Sequence, residues 1–348
     1  MLNLPKIEFH ILQSFPVTCL NRDDIGSPKT ANIGGVVRAR VSSQCWKRAI
    51  RLKLHELGGK IGIRTENLSK LLIKRCENLS VDKEKVEKAC HKLAEQIIPD
   101  KKAIVFVTED EINTLVDLLK DNDFSEKIKI DAFLKERKKQ KINLLSALDI
   151  ALFGRMVAKA PDLNVEAACC VAHAITTHKA ETELDFFTAV ADDSESTGST
   201  FMGVGEFNSG TYYRYVNLDL NQLAQSLAIT ELDESSVQDL QNCVKYFVQA
   251  LFLAVPPAKQ HTHAGLCVWD YAKVLVRKGQ SLQVSFEEAV KAKGSGFLKP
   301  SIEALNKFLD DKKAMIGSLF NEEAEFEWGI DATYSLDNLI ADLQAQIK

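Results

Sequence analysis

The residue types best suited to chemistry are concentrated in one stretch, Arg38-Ala39-Arg40-Val41-Ser42-Ser43-Gln44-Cys45-Trp46-Lys47-Arg48-Ala49-Ile50-Arg51. On a helix that begins at Ser43, Gln44, Lys47, Arg48, Arg51 and His55 fall at i, i+3, i+4, i+7 and i+11, which makes one polar, basic stripe. Trp46, Ile50, Leu54 and Leu57 form the opposing apolar face. Ser42 and Ser43 offer hydroxyls at the helix start, where free N–H groups and the helix dipole add positive potential. From Ala31 to Lys53 there are six basic residues and no acidic one. Such a constellation suits phosphates spaced along a nucleic-acid strand. A solvated basic helix has a similar composition, but normally with acids interspersed.

A second candidate is apolar. Between Gly198 and Gly210, Phe201 and Met202 stand among Ser, Thr, Gly and acidic residues. An apolar tip on a projecting hairpin wedges between bases or covers a backbone, or else packs on its own domain. Upstream, Glu181 to Glu195 holds six acids and no base. The formal charge of −4 therefore averages over strongly polarised regions.

Patterns for catalysis are sparse. There is no Gly-x-x-x-x-Gly-Lys-Ser/Thr loop, and Gly294-Ser295-Gly296 lacks the lysine partner. His261-x-His263 would place two imidazoles on one strand face, without an evident third metal ligand. His173 and His178 read as packing or polar contacts on a helical segment. Asp23-Asp24 beside Arg22 fits either metal-dependent phosphodiester cleavage or a loop-bracing ion pair. The eight cysteines form no Cys-x-x-Cys pair. The expectation is no metal, no cofactor and reduced thiols in the cytoplasm. Neither a signal peptide nor a membrane span is read.

The elements that must position these residues follow from periodicity. Ile7, Phe9 and Ile11 alternate with Glu8 and His10 as an opening strand. A turn-rich loop over Asn21–Pro28 leads to an extended Val36–Val41 and a helix from Ser42 or Ser43 to about Leu57. From about Lys60 to Leu152 the pattern is helical, with a charged run at Lys135–Lys141. Ala167–Thr177 reads as helix, Phe207–Leu218 as strand, Ser235–Leu253 as amphipathic helix and Thr262–Val276 as strand. Short helices at Phe286–Lys293 and Ser301–Leu309 precede an acidic tail. With 348 residues, 45% of them hydrophobic, this order fits an α+β sheet of βαββαβ type carrying two insertions.

An ordered series of motifs extends the reading. Cys19-Leu20-Asn21-Arg22-Asp23-Asp24, Arg40-Val41-Ser42-Ser43-Gln44, Lys47-Arg48-Ala49, Gly154-Arg155-Met156 and Ala172-His173-Ala174-Ile175-Thr176-Thr177-His178 come first. Phe207-Asn208-Ser209-Gly210, Tyr213-Arg214-Tyr215, Ala258-Lys259-Gln260, Lys291-Ala292-Lys293 and Gly296-Phe297-Leu298-Lys299-Pro300-Ser301-Ile302 follow. The series closely resembles the CasC-type backbone subunits of the type I-E CRISPR Cascade complex. The resemblance runs from the N-terminus to about Leu305 and is weak from about Lys60 to Lys141.

The resemblance implies a hand-shaped, non-catalytic protein that polymerises along guide (CRISPR) RNA and presents it in segments to target DNA. An RRM-like (ferredoxin-like) palm would comprise residues 1–58 and 156–305, with a thumb β-hairpin at about 191–215. Helical fingers would comprise 59–155, and 306–348 an acidic tail. Arg22, Lys29, Ser42, Gln44, Lys47 and Arg51 would hold RNA backbone, and Arg38 and Arg40 are counted with them. Met156 would pack against bases, Phe201, Met202 and Val204 would form the thumb tip, and Lys259 and Gln260 would lie near RNA or the next copy. Partners would be other copies, other Cascade subunits and a recruited helicase-nuclease, and no membrane. Val36-Val37 stand where a basic pair is expected, so phosphate contacts there would be fewer. The rivals are a metal-dependent ribonuclease using Asp23 or Asp24 and a small-molecule-binding α+β protein.

Overall fold

The structure, a computed structural model, describes residues 2–79, 81–98, 103–140, 144–189, 201–294 and 296–348. Its centre is β1 (Lys6–Thr18), followed by β2 (Thr30–Ile33), β3 (Val36–Val41) and helix α1 (Ser43–Glu56). A helical insertion comes next: β4 (Ile63–Thr65), α2 (Leu68–Cys76), α3 (Lys83–Ala94), β5 (Val105–Val107), α4 (Glu109–Asp121) and α5 (Ile130–Lys139). The chain returns through α6 (Leu148–Phe153), β6 (Cys169–Val171) and β7 (Ala174–Thr176) to β8 (Glu183–Ala189) and the 19-residue β9 (Phe201–Asp219). Last come α7 (Leu220–Ser226), α8 (Glu234–Leu253), α9 (Gln260–His263), β10 (Tyr271–Arg277), α10 (Leu298–Ile316), β11 (Glu322–Trp328) and α11 (Leu336–Ala345).

The protein is therefore mixed α and β around one antiparallel sheet of order β11-β10-β1-β9-β7-β3-β2, with β6 and β8 pairing further stretches of β9. In β1, Ile7 lies between Leu218 and Val276, which fixes the register. That register shifts between Phe15 and Thr18, around Pro16, which has no N–H for the ladder. Beyond this point β9 leaves the sheet and pairs only with β8.

Ile7, Phe9, Ile11, Val216, Leu218 and Val274 face one core, covered by α1, α6, α7, α8 and α11. Leu12, Tyr213, Tyr215, Tyr271 and Leu275 face a second, covered by Val284, Phe286 and the Leu305–Leu309 face of α10. Glu8 and His10, the polar members of the strand's alternation, are consequently 0% exposed. Glu8 is ion-paired to Arg277 at 3.2 Å and accepts from Tyr215, while His10 Nδ1 meets the Tyr213 hydroxyl at 3.0 Å. Burial foremost, then Arg277 and Lys273, depresses the His10 pKa to about 3, so its 3.9 Å approach to Glu8 is not an ion pair.

Four segments differ from the sequence expectation. Ala167–Thr177 is not helical, because β6 and β7 are recruited as neighbours of β9. Phe286–Lys293 is an irregular strap rather than a helix, tied down by Arg38 and by Val290 N–H to the Thr177 carbonyl. His261 and His263 lie on α9, and the strand begins only at Tyr271. The acidic residues after 306 are folded: α10 continues to Ile316, and β11 caps the sheet edge with Glu325 and Glu327 on Lys273. In addition, Val157, Ala160 and Leu163 are buried in the core of the helical insertion with Leu115 and Phe133, so that body reaches past residue 155.

Candidate nucleic-acid interface

Helix α1 starts as its sequence demands. Ser42 is the N-cap, its Oγ accepting from Cys45 N–H at 3.3 Å, and its own N–H donates to Asn21 Oδ1 at 2.9 Å. This bond fixes the Asn21–Lys29 loop beside the helix start. Within the loop, Asp23 Oδ1 accepts from the N–H groups of Ile25 (3.1 Å) and Ser27 (2.9 Å), so the brace is a turn rather than an ion pair. Asn21–Gly26 and Ala258 line an open cavity of about 530 Å³.

The basic residues divide into free and engaged. Arg22, Gln44 and Arg48 are exposed, and Lys29 and Lys47 are half-buried. The Lys47 ammonium sits 5.9 Å from the centre of the Phe153 ring. Arg40 is held at the rim by the Thr30 carbonyl (3.2 Å) and His173 Nδ1 (3.0 Å). Arg51 turns inward, its Nε 2.6 Å from Asp149 Oδ2 and its Nη2 2.6 Å from the Gly62 carbonyl, so it brackets α1 to α6. Arg38 is fully buried and donates to the carbonyls of Thr176, Phe286 and Glu287. Arg38 and Arg51 are thus structural, correcting their assignment to RNA backbone. The strap at Phe286 and Glu287 covers Arg38, though not Arg40 on the same strand face, and an inward carboxylate, invisible in the stripe, captures Arg51. The Ser42 hydroxyl likewise serves as the cap.

The hairpin begins earlier than residue 191, with β8 and β9 in register from Glu183↔Phe207 to Ala189↔Phe201. Alternation puts Leu184, Phe186, Met202 and Val204 on one face, where they are 57%, 69%, 70% and 58% exposed. On the other face the Phe187 ring lies over Gly203, where a Cβ would come within 2.4 Å of it. Of the expected tip, Met202 and Val204 lie on β9, whereas residues 190–200 and the Phe201 side chain lie outside the described residues. Leu184 and Phe186 were missed; their alternation with Glu183 and Asp185 was the available signal.

At the root of the hairpin, a Cβ on Gly210 would press on Thr176 and His178. His178 Nε2 accepts from Thr211 N–H at 3.1 Å, which leaves Nδ1 to donate to the Lys179 carbonyl at 2.7 Å, and its ring stacks on Phe297. Lys259, left-handed at φ 51°, directs its ammonium toward Gly205, whereas the Gln260 amide turns back to the Pro256 carbonyl at 3.1 Å. Met156 is 83% exposed. Among the described residues, no three His, Cys, Asp or Glu side chains gather as a metal site. No described helix is long and apolar enough to cross a membrane.

The chain thus joins a basic rim along α1 and an exposed apolar hairpin to one antiparallel sheet. The chain belongs to the CT1975-like protein family (Cas CT1975), whose model matches residues 7–337. Among solved structures, a chain of a "CRISPR RNA-guided surveillance complex, pre-nicking" is similar at TM-score 0.80 and 26% identity, over 99% of this chain and 100% of that one. A chain of another "CRISPR RNA-guided surveillance complex" shares the fold at TM-score 0.61 and 24% identity, with 98% of each covered. No curated protein sequence matches.

Proposed function

We propose that this protein is a non-catalytic backbone subunit of a type I-E Cascade complex in the cytoplasm, polymerising along guide RNA. It holds the RNA backbone and presents bases in segments to target DNA, beside other Cascade subunits and a recruited helicase-nuclease. The observation that carries the reading is the end-to-end similarity to a chain of an RNA-guided surveillance complex. The order β10-β1-β9-β7, with α1 and α8 over one face, supports an RRM-like palm, because it is that of a βαββαβ unit.

In an RRM, bases stack on the open sheet face. Here that face is covered by the strap and α10, with Tyr213 and Tyr215 buried beneath them. We therefore assign the RNA to the rim, along Arg22, Lys29, Gln44, Lys47 and Arg48. Met202 and Val204 of one copy, and Phe201 with them, reach RNA held by the next. Base pairing then supplies sequence specificity, and repeated copies multiply modest contacts.

The test is nucleic acid extracted from the purified protein. RNA of discrete length is expected, and recovery of none overturns the reading. Metal-dependent cutting of RNA by this chain alone, abolished by Asp24→Ala, would replace it with a ribonuclease.

A further inference from the structure

Met156 is an exposed residue between two buried ones: Arg155 is 6% exposed and Val157 is 3% exposed. Both anchors belong to the helical insertion rather than to the sheet. Val157 packs in the insertion's core. The Arg155 guanidinium meets Glu111 of α4 through two bonds, Nη1 to Oε2 at 2.7 Å and Nη2 to Oε1 at 2.9 Å. Its remaining contacts are the carbonyls of Leu163 (2.7 Å) and Phe106 (3.1 Å). Glu111 is itself fixed by Arg137 at 2.9 Å and by a capping box with Thr108. Burial alone would raise the Glu111 carboxyl, but Arg155, Thr108 N–H and Arg137 hold it below its ordinary pKa. The pair is charged, forked and shielded from water, the arrangement that fixes geometry most tightly.

On the other side of Met156 the chain turns at Gly154, φ 79°, where a Cβ would lie 2.9 Å from the Val165 carbonyl. Gly154 follows Phe153, whose ring lies under Lys47 of the basic stripe. Met156 is thus held by the insertion and follows, three residues along the chain, the Phe153 ring that lies beside Lys47.

We propose that Glu111 is a positioning residue that sets Met156 against the guide and so couples the helical insertion to guide occupancy. The inference rests on the guide-binding reading. Glu111 touches no RNA; it acts through Arg155.

The test is a double-mutant cycle on the full chain with a single-stranded RNA long enough for several copies. Met156→Ala is expected to weaken binding about tenfold, the scale of a lost contact at a base, and to blur the periodic protection of bases from single-strand reagents. Glu111→Gln should do the same when Met156 is present and add nothing when it is alanine. A folded Glu111→Gln protein with wild-type protection, or additive losses, overturns the proposal. A silent Met156→Ala overturns it too, while leaving guide binding by α1 to be judged from its own salt dependence. Hydrogen exchange in the unmutated, RNA-free protein supplies the check that needs no variant. Amides 155 and 157, which donate to the Val165 carbonyl and Asn164 Oδ1, should exchange as slowly as those of α4, and loop-like exchange there overturns the proposal.

Discussion

The start of α1 and the β8–β9 hairpin place their candidate binding side chains in opposite ways. On α1, cationic groups stand on a capped helix whose other face, through Trp46, Ile50 and Leu54, is locked into the core. On the proposed reading Lys47 and Arg48 would need no tight geometry, because a mobile ammonium or guanidinium over a phosphate is held by long-range attraction. The hairpin carries its groups on a two-stranded arm beyond the sheet, and they are apolar. Apolar contact is short-ranged, so the arm's root has to be rigid, and Gly210, Thr211 and His178 supply that rigidity. Charge can be displayed loosely from a rigid element, whereas an apolar contact must be aimed.

The sharpest way to break this comparison is to mutate the basic residues that do not belong to the display surface. Arg38→Met should destabilise the isolated chain by about 3 kcal/mol, because the buried Thr176 and Phe286 carbonyls and the partly buried Glu287 carbonyl lose their donor. Chemical denaturation measures this, and salt dependence of RNA binding by the surviving fold should be unchanged. An unchanged midpoint with a flatter salt slope would return Arg38 to the RNA surface.

Acidification should have the next largest effect. His10 is neutral when folded down to about pH 3 but titrates near 6.5 when unfolded, so unfolding takes up a proton between those values. Stability therefore falls as pH drops through that window, by on the order of 1 kcal/mol per pH unit. His173 and His178, also depressed chiefly by burial, act in the same direction. Glu8, raised chiefly by burial, acts in the opposite direction just above its ordinary value. Thermal melts of His10→Gln between pH 7 and 5 should show a slope smaller by up to one proton, and parallel curves would refute the assignment.

Lys47→Ala with Arg48→Ala should barely move the melt, by about 0.5 kcal/mol at most. The double variant should nevertheless weaken binding to RNA of any sequence and flatten the logarithmic salt dependence by about 1.4, two contacts at roughly 0.7 each. An intact slope would remove α1 from the interface.

The legibility of each region follows from how local its determinants are. Helix α1 was readable to within about a residue at each end, because its cap, stripe and apolar face lie within Ser42–Leu57. The central strand was readable, but not the burial of Glu8 and His10, since the strap that covers them comes from Leu282–Phe286, more than 270 residues later. Ala167–Thr177 misled for the same reason: its apolar and β-branched residues suit either state, and β9 decides. Arg51 was legible as part of a basic stripe but not as bonded, because Asp149 lies 98 residues away. Local chemistry picked out the candidate residues, and long-range pairing decided which of them face outward.

The smallest expected change in stability bears on the largest functional claim. Met202 and Val204 are already mostly exposed, so Met202→Ser with Val204→Ser should leave the melt of the isolated chain within about 0.5 kcal/mol. The same side chains, once covered by a neighbouring copy and its RNA, would each contribute up to about 1.5–3 kcal/mol. On the proposed reading that contribution would exist only between copies and recur at every junction. The double variant should therefore bind RNA as single copies with the wild-type salt slope, yet lose cooperative assembly on long RNA in sedimentation. If the variant assembles as the wild type does, the exposed hairpin face contributes nothing between copies. If it melts several degrees lower instead, that face packs on its own chain and the contrast with α1 fails.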